Sequence, residues 1–229
     1  MFVNTTKVEL IAHTVAVNNA DAATDLQVVN AARVSYAKHQ SELNLEKDVK
    51  LLDYLSKHGH WSPFAHTSIT VRCSVPIFLA RQLVKHQIGL TWNEESRRYI
   101  DSELEFYIPP VLHKRPTNSK QGRGEPFSNN SIQSSQDWIK RAIHEAHGVY
   151  KLLLVSGVAP EEARMVLPLN AMTNFYWTGS LAAFARVVQQ RSTPHAQLIA
   201  NEFAQQLSDV LYSVYPEATK ALLTDTKGE

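Results

Sequence analysis

Between Arg81 and Arg98 the sequence gathers groups suited to holding an anionic, planar ligand. If residues 76–87 form a helix, Arg81 and Lys85 lie four apart, as do Gln82 and His86, while Gln82 and Lys85 lie three apart, so all four share one stripe. Two cations, an amide and an imidazole donate many hydrogen bonds and accept few. Leu79, Leu83 and Val84 mark the other, apolar side. The loop that follows adds Asn93, Glu94, Glu95, Ser96, Arg97 and Arg98 within six positions. Guanidiniums fork onto phosphate oxygens while hydroxyl and carboxylate acceptors read sugar or base, which suits a nucleoside monophosphate. On pattern alone, a solvated, salt-bridged surface accounts for these residues equally well.

Other chemistry-bearing residues lead less far. His144 and His147 stand three apart, not the four of a metalloprotease helix, and read as a helical surface. His58, His60 and His66 are close in sequence but have no neighbouring Cys, Asp or Glu to complete a ligand shell; they motivate a rival reading as a metal-dependent phosphohydrolase. The eight glycines contain no G-x-G-x-x-G and no P-loop, so a nucleotide cofactor would bind without a Rossmann turn. Cys73, the only cysteine, sits in a strand-like apolar context and reads as a small buried hydrophobe. It can form no internal disulfide and no thiolate cage, which suits a reducing, cytoplasmic setting. A formal net charge of +1 without blocks of like charge gives no reason to expect nucleic acid as partner. No apolar run approaches the ~20 residues that cross a bilayer, and none is preceded by a basic leader.

The elements that must position these groups follow from spacing. Residues 24–38 predict a buried helix, and 45–57 an amphipathic one capped by Asn44 and stopped near Gly59. Residues 67–75 are β-branched and roughly alternating, a strand closed by Pro76. Residues 109–131 are rich in Pro, Ser, Asn, Gly and Lys and predict an exposed loop. A long helix is expected from Ile132 to Ser156, a short one opened by Pro160, a strand over 174–178, a helix from the Ser180 cap to Gln190, and a last long helix from Thr193-Pro194 to Pro216. The tail 217–229 is expected to fray. The sum is a single α+β domain over 1–229, mostly helical with a small antiparallel or mixed sheet.

The stretch KHQIGLTWNEESRRY resembles the signature of the flavin-dependent thymidylate synthases (the ThyX family): Arg-His-Arg, about seven residues, then Ser, with an Asn-Glu pair before that Ser and Arg-Tyr after it. The resemblance continues through AARVS at 31–35, HGHWSPFAH at 58–66, PIFLARQ at 76–82, FYIP at 106–109, SGVAPEEARMVLPLN at 156–170 and RSTPHAQ at 191–197. There are departures. Lys85-His86-Gln87 replaces Arg-His-Arg, with one extra residue before Ser96. Ser180-Leu181-Ala182 replaces an Asn-x-Arg, and Arg186 stands where the family has Asn. Lys85 keeps a charge and loses the bidentate fork.

The resemblance implies a ThyX-like fold and reductive methylation of dUMP to dTMP, with FAD reduced by NADPH and methylenetetrahydrofolate releasing tetrahydrofolate. It implies Arg191 as the catalytic residue, favouring the N3-deprotonated uracil. Arg81, Gln82, Lys85, Glu94, Glu95, Ser96, Arg97 and Arg98 would hold dUMP, with Arg164 reaching in from a neighbouring subunit of a homotetramer. His60, Ser62, Lys85, His86, Gln87, Glu94, Ser180 and Arg186 would contact FAD. A same-fold nucleotide binder that has lost catalysis is the nearer rival, motivated by the departures.

Overall fold

Apolar spacing turns most of this chain into helix. The computed structural model describes residues 1–15, 24–100, 103–117, 122–194 and 196–224, without the side chains of 129–131. Strands β1 (Phe2–Val3) and β2 (Lys7–His13) precede helices α1 (Asp25–Arg33), α2 (Leu45–Lys57) and α3 (Ser62–Ala65). Strand β3 (Ile69–Pro76), helix α4 (Ile77–Leu83) and strands β4 (Leu90–Glu94) and β5 (Phe106–Tyr107) come next. Helices α5 (Asn129–Val155) and α6 (Pro160–Ala163), strand β6 (Met172–Gly179) and helices α7 (Leu181–Arg191), α8 (Leu198–Val214) and α9 (Pro216–Thr224) complete the order. β1 pairs in parallel with β5, Phe2 opposite Phe106, and the remaining strands form a four-stranded sheet of order β2-β3-β6-β4. This is the α+β, mostly helical class that the sequence implies.

The described residues divide into two compact units, each built from three stretches of chain. The first is Met1–Thr6, Ser74–Lys85 and Asn93–Phe175; the second is Lys7–Cys73, His86–Trp92 and Tyr176–Glu229. Because the stretches interleave, there is no linker for a sequence scan to detect.

In the first unit, Leu104, Phe106, Ile108, Ile143, Tyr150, Ala163 and Ala171 form a buried cluster. Ile139, Ile143, Tyr150 and Leu154 recur along α5 at helical spacing, which brings its apolar stripe onto β5. His144 packs edge-on against Phe2, and His147 packs edge-on against Phe106 and stacks on Tyr150, so both are ring contacts of this helix. In the second unit, Trp177 is wholly buried, with edge-on contacts to Trp92 and Phe184 at 5.4 Å. Ile199, Phe203, Leu207 and Leu211 form the buried stripe of α8.

Several sequence expectations are corrected. The helix expected over 76–87 ends at Leu83, because β4 occupies Leu90 onward and residues 84–89 make the turn in which Leu90 N–H donates to the Gln87 carbonyl. Arg81 and Gln82 therefore stay on α4 while Lys85 and His86 leave it, and the shared stripe does not form. Asn93 and Glu94 lie on β4, not in a loop. α1 stops at Arg33; a 3-10 turn over Val34–Tyr36 follows, and Ala37 enters the left-handed region at φ 52°. Val34 and Tyr36 are exposed. Strands β1 and β2 were not expected. Within 109–131 the chain doubles back through a bridge between His113 and Pro126, and α5 begins at Asn129; residues 118–121 lie outside the described residues. The last long helix starts at Leu198, not at Thr193-Pro194.

The expected frayed tail is helix α9 as far as Thr224, with Ala218, Thr219 and Ala221 buried; residues 225–229 lie outside the described residues. Asp25 holds it down. Its buried carboxylate accepts the Glu217 and Ala218 N–H groups at 3.1 and 2.9 Å, which satisfies donors at the start of α9. Asp25→Ala is expected to cost about 1–2 kcal/mol in urea denaturation. A change within error would show that α9 needs no such cap.

Candidate functional site

The first unit contains a cavity of about 220 Å³ whose polar lining is Glu94, Glu95, Arg97, Arg164 and Thr173. Ile77, Leu104, Leu167, Leu169 and Met172 are among its apolar walls. Each carboxylate is oriented by a partner. Thr173 Oγ1 donates to Glu94 at 2.7 Å, and Asn174 donates to Glu95 at 2.9 Å from its side chain. Glu95 N–H also donates to the Asn174 carbonyl, which ties the end of β4 to β6. Arg97 stands 3.7 Å from Glu95, both side chains mostly buried. Arg164, expected from a neighbouring subunit, lines this cavity within the same chain. Its Nε donates to the Glu161 carbonyl at 3.2 Å.

The other expected nucleotide ligands stand outside that lining. Arg98 is half-exposed and paired with Glu161 at 3.1 Å. Ser96 Oγ accepts the Arg98 N–H, so it shapes the turn after β4. Arg81 and Lys85 are exposed. Gln82 on α4 has a buried Oε1 with no hydrogen-bond partner. A buried acceptor left unmade costs roughly 1–3 kcal/mol, which marks Gln82 as a group that awaits a donor.

Among the described residues of the second unit, two further cavities stand out. The larger, about 500 Å³, has Arg186 as its only charged lining residue among those described, with hydroxyls from Thr67, Ser68, Thr91, Thr178 and Ser180 and the exposed indole of Trp61. Its floor depends on small residues. A Cβ at Gly179 would stand 2.7 Å from the Gly89 carbonyl, and Gly89 itself has φ 75°. Ser180 caps α7 by accepting the Ala183 N–H, and the Leu181 N–H donates to Thr67 Oγ1 at 2.8 Å. The smaller cavity, about 380 Å³, is lined by Arg33, Tyr36, Tyr54, His60 and Ser62. His58 and His60 make ring contacts with Tyr54. Among the described residues no three His, Cys, Asp or Glu side chains gather as a metal site.

Arg191, at the end of α7, donates to His86 Nε2 from both Nε (3.1 Å) and Nη2 (2.9 Å). Burial lowers the pKa of each, and for His86 the nearby cations Arg191 and Arg186 lower it further. The residues expected at FAD thus divide: Ser180 and Arg186 share the larger cavity, His60 and Ser62 the smaller, and His86 joins Arg191. Gln87 is exposed in the turn, while Lys85 and Glu94 belong to the first unit. Sequence reasoning passed over Trp61, Thr173, Asn174, Arg33 and Tyr36. Trp61 and Arg33 stand inside the HGHWSPFAH and AARVS blocks, which was the available signal; Thr173 and Asn174 matter only through the β4–β6 pairing.

The fold has close likenesses among solved structures. The UMP/dUMP methylase PolB of Streptomyces cacaoi, bound with 5-Br dUMP, superposes with a TM-score of 0.85 at 29% identity, covering 97% of each chain. The same methylase bound with 5-Br UMP gives 0.83. The fold is thus one shared with a methyltransferase. The model of the thymidylate synthase complementing protein family matches residues 9–217, and the chain belongs to that family. The flavin-dependent thymidylate synthase of Thermosipho africanus is 38% identical over 199 residues, 87% of this chain and 86% of the relative. That of Thermus thermophilus is 34% identical over 197 residues, 86% and 71% of the two chains.

Proposed function

We propose that this enzyme converts dUMP to dTMP, with FAD as its flavin, NADPH as the reductant and methylenetetrahydrofolate as the one-carbon donor that leaves as tetrahydrofolate. The observation that carries this reading is the first-unit cavity, where Glu94, Glu95, Arg97 and Arg164 meet an apolar wall, in a chain whose relatives are named for the reaction. The family match runs through both units, which supports a single catalytic domain over 1–229. A cytoplasmic homotetramer with shared sites belongs to the same proposal, as do Arg81, Lys85, Ser96 and Arg98 as further dUMP ligands.

The residues present fit the ligands. Arg97 and Arg164 suit a phosphate, Glu94 and Glu95 accept from sugar or base, and the unpaired Gln82 Oε1 can accept a ring N–H. Arg186, a cation among the several hydroxyls of the larger cavity, suits the diphosphate of FAD, and the Trp61 indole offers a stacking face. Ser180, His60, Ser62, Gln87, Lys85, His86 and Glu94 complete the proposed flavin contacts. Bound FAD would supply the redox chemistry, leaving binding, orientation and charge to the protein. Arg191 would stabilise negative charge developing on the uracil.

Cys73 cannot replace that chemistry. It is wholly buried, and burial raises its pKa, which disfavours the nucleophilic thiolate. Cys73→Ala is expected to leave kcat within about twofold; loss of all turnover would establish a thiol mechanism instead. The decisive experiment is an absorption spectrum after FAD addition, followed by NADPH oxidation and dTMP formation dependent on dUMP. Bound dUMP with no flavin signal at any FAD concentration would identify a binder that has lost catalysis.

A further inference from the structure

We infer that His86 is a positioning residue for Arg191, orienting its guanidinium through a neutral acceptor that leaves the positive charge unquenched. The inference rests on the catalytic reading of Arg191. Nε and Nη2 of Arg191 converge on His86 Nε2 at 3.1 and 2.9 Å. Two donors from one rigid plane onto one acceptor fix both the direction and the rotation of that plane. Of the five guanidinium N–H groups, two are committed, and three are left to face a ligand.

The histidine is itself held in place. Its segment lies along α7 at two further points. Arg186 Nη2 donates to the Ile88 carbonyl at 2.8 Å. At Gly89 an added Cβ would stand 3.3 Å from the Ala183 Cβ, so that backbone already lies close to the helix. His86, Ile88 and Gly89 thus meet α7 at Arg191, Arg186 and Ala183, and the imidazole has little freedom to swing away.

A carboxylate is the usual partner for arginine, and the choice of imidazole has a consequence. A carboxylate would orient the guanidinium and cancel its field, whereas a neutral imidazole orients it and cancels nothing. Among the described residues Arg191 has no ion-pair partner, and the charged groups bearing on His86 are the cations Arg191 and Arg186. Nε2 can accept only while unprotonated, so the proton resides on Nδ1. Burial and the two cations favour that neutral form. Protonation of His86 would remove the acceptor and set two positive groups against each other.

Nitrogen-15 NMR of the histidines in the intact chain, with no ligand added, tests the pair without any assay. The expected result is an unprotonated His86 Nε2 that stays so below the pH at which ordinary histidines titrate, and a titration point that rises in Arg191→Ala. Kinetics then test the role. His86→Ala should lower kcat about 10- to 100-fold, a larger loss than any it causes in FAD affinity. His86→Gln, which keeps a neutral acceptor, should recover most of that loss, and His86→Glu, which brings a negative one, should not. A His86 that titrates normally, or a Gln variant no better than Ala, overturns the inference. Should Arg191→Ala itself retain turnover, the catalytic reading fails, and the NMR result still decides whether the pair exists.

Discussion

Arg191→Ala is expected to lower kcat by roughly a hundred- to a thousandfold, the loss seen when a fixed donor to developing negative charge is removed, while the flavin spectrum stays nearly intact. The reasoning starts from where the side chain stands. Arg191 is the last residue of α7, half-buried, with its guanidinium held by His86 and, among the described residues, by no carboxylate. Burial lowers its pKa, yet a guanidinium has so much margin that it stays charged at any working pH. A cation kept in partly desolvated surroundings without a counter-ion is costly for stability and useful where a substrate becomes anionic. Arg191 also lies outside the lining of the 500 Å³ cavity that carries Arg186, so its removal should leave flavin binding largely unaffected. Arg191→Lys should recover little, since an ammonium cannot keep two N–H groups on His86 Nε2 in one plane. Parallel loss of bound FAD and activity would show that Arg191 serves the cofactor instead.

The pair also makes a pH prediction for kcat. The folded pKa of His86 is lowered, so the neutral acceptor persists as pH falls past the ordinary histidine value, and the acid limb of the profile should lie below that value. In His86→Gln the limb due to this residue should vanish.

How much of this was legible in the sequence depends on the range of the interaction involved. Helix α2 was read to the residue, because its cap, acidic first turn and apolar spacing are all local: Asn44 accepts the Lys47 N–H as the pattern demands. Helix α4 was read too long, because nothing inside residues 76–87 announces that Leu90 is needed beside β6. The paired carboxylates Glu94 and Glu95 were found by type, but Thr173 and Asn174, which orient them, lie 79 residues away. The two-unit organisation was invisible for a related reason. Each unit draws on three separated stretches, and composition along the chain carries no trace of that. The His86–Arg191 pair, 105 residues apart, could be guessed only as two members of resembling motifs; that one holds the other is a fact of the folded chain.

Asp48→Ala is the substitution expected to damage the fold most. The Asp48 side chain is fully buried at the start of α2 and accepts three hydrogen bonds, from Arg33 Nη2 at 2.5 Å, Gln40 Nε2 at 2.6 Å and Asn44 N–H at 2.8 Å. Desolvation is the largest influence on its pKa and raises it, but the bonds from Arg33, Asn44 and Gln40 together outweigh it, and the net shift is downward. A depressed folded pKa means that the contribution is fully present above the unfolded value of about 4 and is lost as pH falls through the folded one. The network should therefore be insensitive to pH between about 5 and 8. Removing the carboxylate leaves Arg33, whose Nε is already buried and unpartnered, without its counter-ion. Breaking one side of a buried pair costs about 3–5 kcal/mol, a large part of the roughly 5–15 kcal/mol that holds a typical domain together. Asp48→Asn keeps the shape and one acceptor and should lose less. Because Arg33 lines the cavity that also contains His60 and Ser62, a folded Asp48→Asn should bind its ligands more weakly there even at temperatures where it is fully native. Thermal and urea melts of both variants, read beside ligand titrations in the cold, separate the two effects; a loss under about 1 kcal/mol for Asp48→Ala would mean that Arg33 finds another partner at once.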